Sequence, residues 1–566
     1  MKRRLSDIAP VSPSLEPPGK RVSNATCFDN FFLGIPNVAK LSLPKRERKP
    51  TKIGLKALGE VTYYPGCSEF AHPLGSRVEP VEAGWGPTLA ANYKKLANEG
   101  LEIDDDTPRS ELFSIVAQYG DFIGVPSDAW QHRLTYAGHV INHVIQSRTR
   151  ILQNKKLLEE NESEETINAC RDQGFARPCS LIMVPFRKDA HEIVELMTRI
   201  IFGDGIAKAN IGNKKRFDDE FGDTGYRVSG ARHADESFKE MMAGNVDDCF
   251  RVGIAFSKKE FKLYANFAKS DIILCSPLGL RMMLNGDAGE DSHYLSSIQI
   301  AVVDKCHILY QQNWEHVLAA FNWLNKKPSK IETDIRRVRP LYLEDHAKYY
   351  CQTLIFSEYQ HEQFSSLAMR QTFCHRGLVW HFPDRQELNK VNVPICQEFH
   401  RVKVDKADDA SELRFNYFKD KVLGKLEQHT LVFVPSYFDF VRLRNYMNTS
   451  LESFVQCHEY APDNKLGRAR DMFFHGRKKL LLMTERLHFY KRFHIRGVKN
   501  IVFYQLPSDP RFYSDIVNMA CPEGERLKSI LIYTPLDRFR LSNVFGQEMT
   551  NSCLKSPQQI QAIVSE

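Results

Sequence analysis

Nine short apolar runs, falling in two series, constrain the fold of this chain more than any other feature. The first series is residues 181–184, 252–254, 272–274, 298–303 and 353–356. The second is 431–434, 480–483, 501–504 and 530–533. Each is rich in Val, Ile, Leu or Phe and does not alternate with polar residues. Strands buried on both faces read this way, because helices cover both sides of a parallel sheet. Amphipathic stretches at 190–202, 437–447 and 465–474 lie between the runs with helical spacing. Strand–helix alternation of this length predicts parallel sheets wrapped by helices. The expected fold class is α/β, with two parallel-sheet lobes in tandem over 176–390 and 391–566. The polar stretch 386–394 marks the junction. Residues 203–248 interrupt the first series; polar, charged and glycine-containing, they read as a long loop insertion.

The chain ahead of the lobes has another character. Residues 61–175 read as a mostly helical extension, with a helix expected over 130–158 from apolar residues such as Leu134, Val140, Ile141 and Val144. Residues 1–60 carry Pro and Ser at 9–20 and basic clusters at 2–4, 20–21 and 44–50. With little apolar periodicity they read as a disordered basic tail. The clusters fit either a solvated tail or a nuclear-import or nucleic-acid arm.

Charge and cysteine usage narrow the class. A net charge of +7 and a pI of about 8.6 permit a nucleic-acid partner without demanding one. No apolar run is long enough to span a bilayer and the N-terminus is not a signal peptide, so a soluble, intracellular chain with no membrane partner is expected. The 13 cysteines are scattered, with no CxxC and Cys170 and Cys179 as the closest pair. That pattern reads as reduced thiols, and no metal site is expected.

Tandem parallel lobes suggest an NTP-driven motor, so the phosphate machinery is the decisive test. A P-loop requires G-x-x-x-x-G-K-[ST], whose N–H groups and Lys hold the phosphates and whose hydroxyl holds Mg²⁺. Gly-Lys occurs only at Gly19-Lys20 and Gly424-Lys425, without the preceding Gly or the following hydroxyl. His191-Glu192 and His361-Glu362 lack the second His of a zinc-hydrolase helix, and no G-x-S-x-G elbow is present. His316, His375 and His458 stand isolated.

Other segments resemble helicase motifs. Pro185-Phe186-Arg187 resembles the P-T-R motif of DEAD-box proteins, and Ser276-Pro277-Leu278-Gly279-Leu280 resembles T-P-G-R-L. Val302-Val303-Asp304-Lys305 stands where V-L-D-E would, and Leu354–Ser357 where the S-A-T strand would. Residues 431–436 resemble motif IV. Residues 481–486, with Arg496-Gly497, resemble the A-T-D…R-G block. Asp304 remains available to Mg²⁺, but Lys305 replaces the Glu that would polarise water. The expected place of the arginine-finger motif reads Phe512 to Met519 and holds no arginine.

These pieces, with Asn313-Trp314-Glu315-His316, the string 434–444 and the string 473–486, resemble the U3 small nucleolar RNA-associated protein 25 family, also called digestive organ expansion factor homologues. The resemblance covers roughly 130–540. It implies two RecA-like lobes, a degenerate superfamily 2 helicase core. It also implies a nucleolar, non-catalytic component of the small-subunit processome that acts in early pre-18S ribosomal RNA processing. Its partners would be pre-ribosomal RNA, U3 small nucleolar RNA and processome proteins, with no cofactor and no small-molecule substrate. Two alternatives stand beside it, an RNA-dependent ATPase with unusual phosphate contacts and a protein-only scaffold.

Helicase-derived positions give the expected RNA contacts: Arg187, Ser276, Pro277 and Gly279 in the first lobe, and Thr484, Arg486, Arg492 and Arg496 in the second. The latter follow a strand end, where open α/β sheets place ligands. A structural reading accompanies each set. Pro277 and Gly279 suit any tight strand-to-helix turn. Arg187 suits a helix start, Asp304 a strand end, and Phe473 and Phe474 a core. Trp314 suits packing or a protein partner.

Overall fold

The computed structural model describes residues 26–33, 49–99 except 69 and 71, 107–125, 129–227, 235–257, 260–284, 292–371 except 330 and 332, 375–521 and 527–565. They form two compact units. The first holds the described residues up to Tyr226, with Ala243–Glu358 and Gln363–Pro383. The second holds the described residues of Arg227–Met242, Tyr359–Glu362 and Asp384–Glu566.

The first unit is built on strands β1 (Thr51–Leu55), β2 (Gly59–Pro65), β3 (Asp121–Gly124), β4 (Ser180–Met183), β5 (Ile211–Gly212) and β6 (Arg251–Phe256). They are followed by β7 (Phe261–Lys262), β8 (Ile272–Cys275), β9 (Ile300–Val303), β10 (Gln352–Phe356) and β11 (Gly377–His381). The sheet order is β1-β2-β11-β3-β10-β9-β4-β8-β6-β7-β5. From β11 to β8 all neighbours are parallel, whereas β1, β2 and β6 pair antiparallel. Every residue of β3, β4, β8, β9 and β10 is buried, as strands covered on both faces should be.

Three sequence expectations change here. Residues 51–65 and 121–124 belong to the first sheet, so residue 175 does not separate a helical extension from the lobe. β3 is four residues between Gly120 and Val125, too short to stand out as an apolar run. The helix Ala129–Glu160 that follows it leads from β3 into the rest of the sheet. The segment 203–248 is not a plain loop. It holds the helices Lys214–Phe221 and Glu236–Met241, and the first buries Phe217 and Phe221, one turn apart and stacked at 4.4 Å. Within the expected tail, Cys27–Leu33 is a helix with Phe28 and Phe31 buried. Its basic clusters at 2–4, 20–21 and 44–48 lie outside the described residues.

The second unit has strands β12 (Ile395–Arg401), β13 (Thr430–Val434), β14 (Phe454–Cys457), β15 (Leu480–Thr484), β16 (Asn500–Phe503), β17 (Lys528–Tyr533) and β18 (Ile560–Ser565). Their order is β14-β15-β13-β16-β17-β12-β18, parallel throughout except for β18. Helix Tyr437–Thr449 follows β13 and packs Phe440, Leu443 and Met447 on Val432, Leu480 and Val502. Both units are parallel-dominated α/β lobes. Among the described residues, no helix is long and apolar enough to cross a membrane.

Candidate functional site

Asp304 directly follows β9, and its neighbourhood is a buried cluster of charged side chains in the first unit. Lys305 turns the chain at φ 51°, a left-handed conformation that non-glycine residues adopt at a cost, before the helix Cys306–Trp323 begins. The Asp304 carboxylate is 1 % exposed. Arg133 Nε donates to its Oδ2 at 2.8 Å and Tyr136 Oη donates to the same oxygen at 3.1 Å. Its Oδ1 lies 2.9 Å from His132 Nε2 and accepts the Lys305 backbone N–H at 2.8 Å. Arg133, equally buried, also donates to Asp189 Oδ1 at 2.8 Å and pairs with Glu192. Lys305 Nζ reaches Asp189 at 2.7 Å.

Burial alone would raise the Asp304 carboxyl. Arg133, His132 and Lys305 overcome it and hold the group well below the usual carboxylate range. Asp189 is lowered too, with Lys305 and Arg133 outweighing its burial. The cluster therefore stays ionised because the chain supplies its own cations. This bears on the Mg²⁺ that the resemblance to helicase motifs implies. Both Asp304 oxygens already accept from two groups each, and a guanidinium stands where a metal would have to approach. A metal–phosphate group does not fit these residues.

The first-lobe residues expected at RNA meet around one short segment, Cys249–Phe250. Arg187 starts the helix Arg187–Phe202 and donates to Glu220 O and Cys249 O, both at 3.3 Å. It pairs with Asp247 at 3.2 Å and lies over the Phe221 ring. Ser276 is buried, and its Oγ accepts from Gly279 N at 3.0 Å and Phe250 N at 3.3 Å. Pro277 opens the helix Pro277–Leu284 and is buried. Gly279 lies so close to Phe250 that an added Cβ would fall 2.0 Å from its carbonyl oxygen. Ser276, Pro277 and Gly279 thus hold a strand-to-helix turn, and Arg187 ties down the inserted segment.

In the second unit, Thr484 is buried and caps the helix Glu485–Lys491, donating its hydroxyl to Glu459 Oε2 at 2.8 Å. Arg492 ends that helix at φ 44°, pairs with Asp515 at 2.7 Å and lies over Phe512 at 4.3 Å and Phe238 at 5.3 Å. Asp515 lies in the segment that stands in for the arginine-finger motif, so the charge there is inverted. A cavity of about 250 Å³ lies beside this pair, lined by His488, Arg492, His494 and Asp515. Arg486 is half-buried, with Nη1 3.5 Å from Tyr460 Oη. Arg496 is exposed and has no hydrogen-bond or ion-pair partner among the described residues. Of the eight positions, Arg496 is the exposed cation, while Arg187 and Arg486 are half-buried. Phe473 is buried and Phe474 partly exposed, and Trp314 packs on Phe364 at 5.2 Å in the interior.

Two parallel-dominated α/β lobes, the first with an acidic position at the end of β9 sealed by a guanidinium, define a tandem α/β-lobed protein. Comparison with known sequences places it further. The family description "UTP25, NTP hydrolase-like domain" matches residues 122–379, and "Utp25, C-terminal domain" matches 387–563. The U3 small nucleolar RNA-associated protein 25 homolog of Xenopus tropicalis is 36 % identical over 498 residues, which cover 84 % of this chain and 65 % of that protein. The Homo sapiens homolog is 35 % identical, covering 86 % and 66 %, and the Schizosaccharomyces pombe protein is 37 % identical, covering 78 % and 69 %. The chain belongs to the U3 small nucleolar RNA-associated protein 25 family. It spans about two thirds of the length of these relatives. Among solved structures, the yeast DEAD-box splicing factor Prp28 is similar over 92 % of this chain and 96 % of that one, with 12 % identity and a TM-score of 0.32.

Proposed function

We propose that this chain is a non-hydrolysing, RNA-contacting component of the small-subunit processome. It acts in the nucleolus in early pre-18S ribosomal RNA processing, with U3 small nucleolar RNA, pre-ribosomal RNA and processome proteins as partners. The names of its relatives supply the U3 association. The observation that carries the non-hydrolysing part is Arg133. A buried arginine holds the one acid that the helicase resemblance assigns to Mg²⁺, and Lys305 replaces its catalytic neighbour. The half-exposed Arg486, just after β15, and the exposed Arg496, ahead of β16 and not at a strand's C-terminal end, support phosphate contact.

Two assays test this reading. Crosslinking in growing cells, followed by sequencing, should recover the 5′ part of pre-ribosomal RNA or U3. Background recovery from a protein that is still nucleolar would remove RNA contact and leave a protein scaffold. RNA-stimulated phosphate release should equal that of an Asp304→Ala variant. Release well above that variant would establish an ATPase instead.

A further inference from the structure

We propose that the C-terminal edge of the second lobe's sheet carries a stacking platform for unpaired bases of single-stranded RNA, formed by Phe438 and Tyr460 with Arg486 and Arg444 beside them. This deepens the RNA-contact reading and rests on it. The starting point is exposure. Phe438 is 88 % exposed and Tyr460 63 % exposed, in a lobe whose other strand-end aromatics are largely covered. Both follow parallel strands directly, Phe438 after β13 and Tyr460 after β14, so both belong to the edge where open α/β sheets bind ligands.

Tyr460 rests on a packed base, and Phe438 follows in sequence the residue that supports it. Tyr437, next to Phe438, meets Tyr460 edge-on at 4.9 Å and stacks on the fully buried Phe440 at 5.8 Å. Phe440 in turn packs against His458 at 5.3 Å. Tyr460, held this way, loses little freedom when a base settles on it, which is what a stacking site requires.

Charge selects nucleic acid over an apolar peptide. Arg486 Nη1 reaches Tyr460 Oη at 3.5 Å, and its guanidinium also lies over Tyr490 at 5.8 Å. Arg444 has no carboxylate partner among the described residues and lies two helical turns beyond Tyr437. It is close enough to His458 to add to the lowering that burial imposes on that imidazole. Two acids lie near the two rings, Asp439, which accepts from Ser411 Oγ at 3.0 Å, and Glu459, which accepts from Thr484 Oγ1 at 2.8 Å. Exposed ring faces flanked by arginines match unpaired bases joined by phosphates. Bases inside a duplex offer no free face.

The test uses the full chain and two labelled RNAs, a single strand of about 12 nucleotides and a hairpin of the same composition. Phe438→Ala and Tyr460→Ala should each weaken single-strand binding roughly ten-fold and leave the hairpin unchanged. Phe438→Trp should retain wild-type affinity, and thermal melting should be unaltered because both rings are on the surface. Single-strand binding that survives both alanine variants would overturn the platform while leaving RNA contact intact. Equal losses on strand and hairpin would replace stacking by backbone contact. No binding of either RNA by the unaltered chain would remove the platform and the RNA-contact reading together. Loss of processome association in cells, with RNA affinity unchanged in vitro, would assign the rings to a protein partner and overturn the proposal.

Discussion

Arg133 shows what a sequence hides at the scale of one residue. Asp304 could be singled out from its place in an apolar run followed by Lys305. Its partner could not, because Arg133 lies on the helix Ala129–Glu160, which reads as part of a separate extension, and no local pattern links the two. The physical consequence is testable. Arg133→Met keeps much of the side-chain volume but leaves Asp304 and Asp189 buried without their guanidinium. It should destabilise the first lobe by about 3–5 kcal/mol in chemical denaturation. Adding Asp304→Asn to that variant should recover part of the loss, since one uncompensated charge disappears. A single variant as stable as the parent chain would mean that the cluster is not held by this pair. The expected contacts Ser276, Pro277, Gly279 and Thr484 carry a related lesson. Turn chemistry and ligand chemistry use the same residue types, so sequence placed these residues at strand ends but could not tell a buried cap from an exposed contact.

Elements were legible in proportion to their burial. All nine apolar runs are strands, and the helix expected over 130–158 spans Ala129–Glu160. What escaped notice was short or half-exposed. β3 has four residues, β1 and β2 carry exposed Lys and Glu, and β18 alternates exposed and partly buried positions. A continuous apolar run signals only strands covered on both faces, so edge hairpins leave no such trace. The helix Cys27–Leu33 was hidden by its polar surroundings, although its phenylalanines sit at helical spacing. Phe31 is fully buried and stacks on Tyr119 with centroids 4.0 Å apart and planes at 7°. Phe31→Ala should therefore cost about 3–5 kcal/mol, read as a lowered melting temperature. A change under about 0.5 kcal/mol, the range of ordinary surface substitutions, would mean that this helix is dispensable.

For the molecule as a whole, buried histidines set the response to acid. Burial pushes His139 down to about 4, His143 to about 3, His375 to about 4 and His361 to about 3. In the unfolded chain these imidazoles bind protons near the ordinary value of about 6.5. Unfolding thus takes up protons below that pH, and stability, complete above it, falls as pH drops toward the folded values. Each histidine contributes up to about 1.4 kcal/mol per pH unit in that window. The lowered carboxylates Asp304, Asp189 and Glu362 add to the loss only at lower pH, from about pH 4 downward. The urea midpoint should fall between about pH 6.5 and pH 4.5, and a flat midpoint there would contradict the burial of these rings. Arg133 has a further meaning at this scale. A lobe that borrows its cation from solution reports the supply of that cation and its nucleotide, filling and emptying as they rise and fall. Arg133 is part of the chain and has no off-rate, so in the proposed role the first lobe would keep one electrostatic state from synthesis to degradation, whatever the ratio of ATP to ADP around it. In that role, timing would come from the particle the chain joins and not from a fuel it consumes.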